Sequence, residues 1–293
     1  MEKNKKTENF FNIIKKFDPT IQFKIAEIGA HPHDSEVDEP FHILLDFFPN
    51  SKIYAFDIDK NECEKLNKAA KTGLKFYPFA LGKKNEIRKF YITNKPECSS
   101  LYRPNEKLLK LYNNFSGAFL KDIIDIQTIT LDEFCEKEKI KYLDFIKIDV
   151  QGAELDVLRG AKKSLENILS IVTEVEFIDH YVNQPLYGDV CSYLGDNDLM
   201  FQKFLGVGGR TLYPIILKNN INFATQHIWS DAIFIKNVLK ISELENSHLL
   251  KLSIFAYIYG SLDLTFFCLN IYDQKNKSNV LELFKESNQN NKK

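Results

Sequence analysis

YLDFIKIDVQGAELDVLRGAKKSL, residues 142–165, contains one complete strand-to-helix junction. Its first part, Tyr142–Ile148, is apolar, has the length of a strand and stops at Asp149, which predicts a buried strand. Its second part, Gly152–Leu165, carries apolar residues at helical spacing, which predicts a helix. Such a junction is the repeating unit of a parallel α/β sheet.

The same alternation continues on both sides of this junction. Further strands are predicted at Phe23–Ala30, Lys52–Phe56, Leu74–Phe79, Ile87–Thr93, Asp125–Thr130, Ile168–Phe177, Leu199–Phe204 and Ile228–Ile235. Further helices are predicted at Glu8–Phe17, Phe41–Phe48, Asn61–Ala70, Leu186–Leu194 and within residues 240–272. The alternation predicts an α/β fold with a doubly wound, mostly parallel sheet, and the last pair of strands predicts an antiparallel edge strand.

The chain divides into four predicted parts. They are an N-terminal helix (residues 1–20), the α/β domain (21–237), a C-terminal helical extension (238–272) and a polar, partly disordered tail (273–293). The extension contains the apolar stretch Leu249–Tyr272, which Lys251, Asp263 and Gly260-Ser261 interrupt. Because charges are costly in a membrane-spanning helix, two packed helices with a break at Gly260 are predicted instead.

Composition and charge limit the classes of partner. The formal net charge of the 293 residues is −1, so no basic surface is expected to bind nucleic acid. The five cysteines are scattered without the spacing of a zinc site, which is typical of reduced thiols in the cytoplasm. The lysine-rich N-terminus lacks the apolar core of a secretory signal. We therefore expect a cytoplasmic protein with no nucleic-acid partner, no transmembrane segment and no metal ligands.

Carboxylates cluster at the predicted carboxyl ends of the strands, where ligands bind in open α/β sheets. They are Glu27, Asp57, Asp149, Glu174 and Glu176. An acidic edge repels a pyrophosphate but suits a ligand with hydroxyl groups and a positive centre, such as S-adenosylmethionine. Asp57 follows Gly29 by ~28 residues, about one βαβ unit, where an acid accepts hydrogen bonds from a ribose. The segment Gly29–Asp34 lacks the glycines of a dinucleotide-binding loop, which argues against a dehydrogenase.

The central junction also resembles a known family. Asp144–Glu154, DFIKIDVQGAE, followed by Leu158–Ala161, LRGA, closely resembles the central motif of the FkbM family of methyltransferases. Weaker segments follow in the order of that family: Glu27–His31, Tyr54–Asp57, Ala80–Gly82, Thr130–Asp132 and Trp229–Phe234. The chain departs from the family at Glu27, His31 and His33, where the family more often has Asp, Asn and Gly. The resemblance extends over residues 20–236.

The resemblance implies a seven-stranded, Rossmann-like class I fold that binds S-adenosylmethionine. It also implies methyl transfer, commonly to a hydroxyl of a sugar, glycan or secondary metabolite. It assigns the cofactor to Glu27, Gly29, Ala30, His31, Asp57, Ile58, Ala80, Leu81 and Asp149. The altered loop Gly29–Asp34 favours one alternative, a degenerate methyltransferase fold that binds a nucleoside or a partner without turnover. The expected acceptor is a small molecule or a glycan, and the helices after residue 240 are a candidate element for a homodimer.

Four residues are candidates for the chemistry: Asp149, His180, Lys147 and Glu154. Asp149 either caps the following helix or orients the acceptor or the methionine ammonium group. His180 either acts as a general base near neutral pH or lies on the surface. Lys147 lies in a buried strand and needs an acidic partner, so an ion pair competes with a catalytic role. Glu154 either interacts with the helix dipole or contributes to the site.

Overall fold

The computed structural model describes residues 5–30 and 39–289 of the chain. The strands are β1 (Lys24–Ile28), β2 (Lys52–Asp57), β3 (Leu74–Pro78), β4 (Ala80–Leu81), β5 (Glu86–Thr93), β6 (Leu120–Ile129), β7 (Phe145–Ile148), β8 (Ser170–Glu176), β9 (Leu199–Phe204) and β10 (Trp229–Lys236). The α-helices are α1 (Lys5–Phe17), α2 (Ile43–Phe47), α3 (Lys60–Ala69), α4 (Glu106–Leu109), α5 (Leu131–Lys137), α6 (Glu154–Arg159), α7 (Tyr187–Asp196), α8 (Asn246–Ile258), α9 (Leu262–Asn276) and α10 (Val280–Gln289).

Seven strands form the main sheet, in the order β3-β2-β1-β7-β8-β10-β9. The first five strands are parallel, and the order reverses between β1 and β7. β10 runs antiparallel to both of its neighbours. This topology confirms the predicted doubly wound, mostly parallel, seven-stranded sheet.

This edge of the sheet is antiparallel, as predicted, and it consists of the pair β10 and β9. β10 lies between β8 and β9. Its residues Ala232–Ile235 are all buried, whereas Met200 of β9 is exposed. Since an apolar run is stable inside a sheet that is covered on both faces, β10 takes the interior position and the more polar β9 forms the edge.

β4, β5 and β6 form a separate three-stranded sheet in the order β4-β6-β5, which the sequence analysis did not predict. β5 and β6 pair antiparallel, and the segment that connects them contains only short helices. Arg88 of β5 fastens this sheet to α6, because its Nη1 donates to Asp156 Oδ2 at 3.1 Å. The Tyr102 hydroxyl donates to the same oxygen at 3.0 Å.

Helices cover both faces of the main sheet. Apolar residues of α1, α2, α8, α9 and α10 form one core with one face, and those of α5, α6 and α7 form a second core with the other. The break predicted at Gly260 separates α8 from α9, and Gly260 has φ 70°, which glycine adopts readily. Within residues 5–30 and 39–289, no helix is both long and apolar enough to cross a membrane.

Lys251 interrupts the apolar sequence of α8, but it is buried and paired. Its Nζ lies 2.8 Å from Asp144 Oδ1, and only 4% and 1% of the two side chains are exposed. Asp144 Oδ2 also accepts a hydrogen bond from the backbone N–H of Lys24 at 2.8 Å. The ion pair therefore joins α8 to the amino ends of β1 and β7.

The segment after residue 272, predicted as a polar, partly disordered tail, is largely helical as far as residue 289. α9 continues to Asn276 and α10 follows it, while residues 290–293 lie outside the described part. The Asp273 carboxylate accepts from the backbone N–H groups of Val280 and Leu281 at 2.8 and 2.9 Å. Phe284 is buried, with its ring centroid 4.4 Å from that of Phe10. The few apolar residues of α10 suffice because they lie on one face of the helix.

Candidate active site

Gly29 allows the carboxyl ends of β1 and β7 to approach each other closely. It has φ 82°, and a Cβ atom at this position would lie 1.8 Å from the carbonyl oxygen of Asp149, so only glycine fits. The backbone N–H of Asp149 donates to the carbonyl of Ile28 at 2.9 Å. These contacts place Asp149 where the strand order reverses, which is the usual ligand position in such sheets.

A cavity of about 430 Å³, which we call the strand-end cavity, opens at this point. Among the residues predicted to bind the cofactor, those lining the cavity are Gly29, Asp57, Ile58, Ala80, Leu81 and Asp149. The second sheet contributes an apolar wall of Phe90, Ile92, Ile124 and Ile126. A carboxylate-bearing sheet edge opposite an apolar wall fits a nucleoside, which has a polar ribose and a flat base.

Asp57 ends β2 and lines the strand-end cavity. Its Oδ1 accepts from the backbone N–H of Asp59 at 2.6 Å. The cap of α3 is Asp59, whose carboxylate accepts from the backbone N–H groups of Asn61 and Glu62. Asp57 itself therefore does not cap α3.

Asp149 is held from two sides. Its Oδ1 accepts from Gln151 Nε2 at 2.9 Å, and its Oδ2 lies 3.5 Å from Lys147 Nζ. Lys147 also pairs with Asp231 of β10 at 3.1 Å. Burial alone would lower the pKa of Lys147, but Asp149 and Asp231 outweigh it and raise this pKa. Lys147 therefore keeps its proton, and its contacts are those of a structural ion pair.

The remaining predicted cofactor residues do not line the strand-end cavity. Glu27 is buried, and its Oε2 lies 2.7 Å from His42 Nε2. Ala30 is also buried, and its backbone N–H donates to the carbonyl of Phe56 at 2.9 Å. These contacts support the end of β1. His31 lies outside the described residues.

Three glutamates crowd together at the carboxyl end of the sheet. Oxygens of Glu154, Glu174 and Glu176 lie within 4.8 Å of one another. Glu154 Oε1 accepts from the backbone N–H groups of Val150 and Gly152 at 3.0 and 3.1 Å, which holds the loop between β7 and α6. Burial raises the pKa of Glu154 to about 7 and also raises the pKa values of Glu174 and Glu176. Since carboxylates at this spacing could also hold a metal ion, the expected absence of metal ligands stays a prediction.

A second cavity of about 670 Å³, which we call the aromatic cavity, adjoins the first. It is lined by His180 and by three residues that the sequence analysis gave no role: Phe115, Arg210 and Trp229. Trp229 begins β10 and was noted only within a strand motif. Phe115 and Arg210 lie in connecting segments, where no periodic pattern marks a functional residue. The His180 ring centroid lies 5.3 Å from that of Phe115 and 6.0 Å from that of Trp229.

His180 lines this cavity rather than the outer surface. Its Nε2 is buried and has no hydrogen-bond partner in the described part of the chain. Burial, assisted by the charge of Arg210, lowers the pKa of His180 to about 4. The ring is therefore neutral at physiological pH, and a neutral imidazole has one nitrogen that can accept a proton.

Gln151 and Glu97 line both cavities. Gln151 Nε2 donates to Asp149 Oδ1 and to Glu174 Oε2, both at 2.9 Å. Its Oε1 accepts from the hydroxyl of Tyr181 at 3.2 Å. Because the cavities share these residues, a ligand in one would lie next to a ligand in the other. The sequence analysis quoted Gln151 inside the central motif but assigned it no role.

Comparisons with known proteins identify the family of this chain. A model of the methyltransferase FkbM domain matches residues 27–202, more than half of the chain. The 2-O-methyltransferase NoeI of Sinorhizobium fredii (strain NBRC 101917 / NGR234) is 25% identical over 179 residues, which cover 58% of this chain and 72% of NoeI.

Two solved structures show a distant likeness. The N-terminal domain of EvdMO1, crystallised in the presence of SAH and D-fucose, has a TM-score of 0.34 and 7% identity, covering 80% of this chain and 84% of that chain. A candidate methyltransferase from Thermoplasma acidophilum has a TM-score of 0.32 and 10% identity, covering 74% of this chain and 70% of that chain.

Proposed function

The chain belongs to the FkbM methyltransferase family, and on this basis we propose that it transfers a methyl group from S-adenosylmethionine to a hydroxyl of a sugar or glycan. The observation that carries the proposal is the pair of adjoining cavities. One is lined by the strand-end carboxylates Asp57 and Asp149, and the other by the neutral ring of His180. The likeness to a 2-O-methyltransferase supports a hydroxyl as the acceptor.

The residues of the strand-end cavity fit S-adenosylmethionine. Asp57 would accept hydrogen bonds from the ribose hydroxyls, and Ala80, Leu81 and Ile126 would contact the adenine ring. Asp149 would attract the positive charge of the methionine part. When bound, the cofactor supplies a methyl group that its sulfonium already activates.

The aromatic cavity would hold the acceptor. A hydroxyl must lose its proton as the new C–O bond forms, and a positioned base accelerates such a step roughly 10²–10⁴-fold. His180 Nε2 is buried and has no partner in the described part of the chain, so we propose that His180 accepts the proton of the acceptor hydroxyl. Trp229 and Phe115 offer flat faces against which a sugar ring can pack.

Two further residues act by positioning. Lys147 holds Asp149 through the ion pair at 3.5 Å, and Glu154 holds the backbone of the loop that follows Asp149. Neither residue lines either cavity. Their role is therefore to keep Asp149 in place, and neither exchanges a proton with the acceptor.

Calorimetric titration of S-adenosylmethionine tests the cofactor half of the proposal. We expect binding in the micromolar range, and we expect Asp57→Ala to weaken it by roughly 10-fold or more, because hydrogen bonds to a charged group are lost. Glu64→Ala removes the same charge from an exposed position on α3 and should leave the affinity unchanged. A folded protein that does not bind the cofactor would contradict the proposal and favour a binding module without turnover.

Incubation with radiolabelled S-adenosylmethionine and a panel of monosaccharides and oligosaccharides tests the acceptor half. We expect label on a sugar hydroxyl, located by mass spectrometry of the product. Cofactor binding without transfer to any member of the panel would reject sugars as the acceptor class.

A further inference from the structure

Arg210 lines the aromatic cavity without a counter-charge. In the described part of the chain no carboxylate pairs with it, its Nη1 donates only to the carbonyl of Gly209 at 2.9 Å, and its buried Nε has no partner. Burial lowers the pKa of Arg210, and no neighbouring charge opposes this shift. Arg210 is half-buried, so its guanidinium has lost part of its hydration without gaining a carboxylate partner, which favours a ligand that supplies the anion.

The faces of the guanidinium are already occupied. Arg210 Cζ lies 4.8 Å from the centroid of the Trp229 ring and 5.7 Å from that of Phe115. These cation–π contacts use no N–H group, since the donors of arginine lie in the guanidinium plane. The edge of the group therefore remains available for an oxyanion, which arginine can bind with two parallel hydrogen bonds.

Packing fixes the loop that carries Arg210. A Cβ atom on Gly208 would lie 2.1 Å from the Trp229 ring, so glycine lets this backbone lie against the indole. On the other side of the loop, Asn113 Nδ2 donates to Thr211 Oγ1 at 2.8 Å. The guanidinium is thus held at the cavity before a ligand arrives, which lowers the entropic cost of binding.

The acidic residues of the same cavity have other partners. Glu97 lies 3.8 Å from Lys95 Nζ, and Glu174 accepts from Gln151 Nε2 at 2.9 Å. Burial raises the pKa of Glu174, which favours its uncharged form. Among the described residues, the aromatic cavity therefore presents one unmatched positive group, Arg210, beside the neutral ring of His180.

We propose that the acceptor sugar carries an anionic group, a carboxylate or a phosphate, and that Arg210 binds it. This inference rests on the proposed function, since it names the class of acceptor for the same site. With its anion at Arg210 and its ring against Trp229, the sugar would lie beside His180. The bound anion would also offset the positive charge that helps to lower the pKa of His180, so the correct acceptor would make His180 a stronger base.

The fluorescence of Trp229 offers a direct test, because this residue is the only tryptophan of the chain. D-glucuronate, D-glucose 6-phosphate and D-glucose are titrated into the full-length protein at equal ionic strength, with S-adenosylhomocysteine present. We expect a charged sugar to bind about 10- to 100-fold more tightly than glucose. A preference for glucuronate identifies a carboxylate, and a preference for glucose 6-phosphate identifies a phosphate.

Variants of Arg210 then assign the preference to this side chain. Arg210→Gln should abolish the preference and leave the affinity for glucose unchanged, and Arg210→Lys should keep part of it, since lysine retains the charge but not the planar fork. Lys218→Gln removes an exposed cation of the same loop and should leave the preference intact.

Four results would overturn the inference. They are equal affinities for charged and neutral sugars, a preference that survives in Arg210→Gln, an equal loss of affinity for all three sugars in that variant, and no fluorescence change with any sugar. Failure of the proposed function gives a different pattern. Methyl transfer to a neutral sugar would keep the proposed function and reject the anion site. Arg210-dependent sugar binding by a protein that does not bind S-adenosylmethionine would keep the anion site and reject the proposed function.

Discussion

The amino ends of the central strands differ from their carboxyl ends in how buried charges are arranged. At the amino ends, Asp144 and Lys251 form a matched pair 2.8 Å apart. At the carboxyl ends, Glu154, Glu174 and Glu176 lie within 4.8 Å of one another, and burial raises the pKa of each. The same sheet thus carries a matched ion pair at one end and a cluster of carboxyl groups that favour their protonated forms at the other.

This difference separates residues that maintain the fold from residues that maintain the site. Removal of one partner from a matched buried pair leaves an unpaired buried charge, which lowers the stability of the fold. Crowded carboxylates with raised pKa values are typical of functional sites, where neighbouring charges are needed for ligands. Substitutions at the two ends should therefore change different measured quantities.

The largest expected effect is on the rate of methyl transfer. His180→Gln should lower kcat by roughly 10²–10⁴-fold, because the acceptor hydroxyl loses its base. In the wild-type protein, kcat/KM should fall as the pH drops toward 4, since a group with a lowered pKa is protonated only there. Both are measured on the best acceptor of the sugar panel.

His248 provides the matched control for this substitution. It lies on α8 and lines neither cavity, so His248→Gln should leave kcat unchanged. If His180→Gln retained the wild-type rate, His180 would not be the base. If His180→Gln also lost affinity for the cofactor, the two cavities would not have the separate roles that we propose for them.

The second-largest expected effect is a loss of stability when the ion pair at the amino ends of the central strands is broken. Lys251→Ala should lower the free energy of unfolding by about 3–5 kcal/mol, because Asp144 becomes an unpaired buried charge. Urea titration measures this loss, and Lys68→Ala, at an exposed position on α3, should stay within about 0.5 kcal/mol of wild type. The pair Lys251→Met with Asp144→Asn should lose less than Lys251→Ala alone, and an equal or larger loss would contradict the ion-pair explanation.

The smallest effect is a pH dependence at the carboxyl ends. Between the ordinary glutamate pKa of 4.5 and about 7, the folded protein holds the Glu154 proton that the unfolded chain has lost. Stability should therefore fall as the pH rises through this window. Glu154→Gln keeps an oxygen for Val150 and Gly152, and it should gain about 1–3 kcal/mol over wild type at pH 8.

Thermal unfolding of wild type and Glu154→Gln from pH 4 to 8 measures this difference. The exposed Glu64 supplies the control, since Glu64→Gln should leave the pH dependence unchanged. A Glu154→Gln variant with the same pH dependence as wild type would show that the proton is held elsewhere in the cluster.

The main sheet could be predicted because each of its parallel strands carries its own local signal. The junction at Asp149 combines an apolar strand, a glycine and a helix, all within 24 residues of sequence. The second sheet could not be predicted, since the sequences of β4, β5 and β6 are those of ordinary strands and do not show that these strands pair with one another. Pairing between strands is a long-range property that local patterns do not encode.

For the same reason, the sequence predicts only part of the candidate site. Asp57 and Asp149 lie at strand ends, so the sheet itself predicts their proximity. Phe115 and Arg210 lie on two connections that are far apart in sequence, and Trp229 begins β10, so no spacing relates the three residues. Arg210 is therefore recognisable only in the structure, where no carboxylate of the described residues pairs with it.

The connection between β9 and β10 has a consequence for how this enzyme fold can diversify. The match to the family model ends at residue 202, before Arg210 and Trp229. Under the proposed function, the methyl donor and the proton of the acceptor would thus be handled within the matched region, which contains Asp57, Asp149 and His180, whereas Arg210 and the anion that it binds would belong to the connection that follows. Exchange of this connection would leave the matched region intact, so relatives with the same donor chemistry could differ in the molecules that they modify.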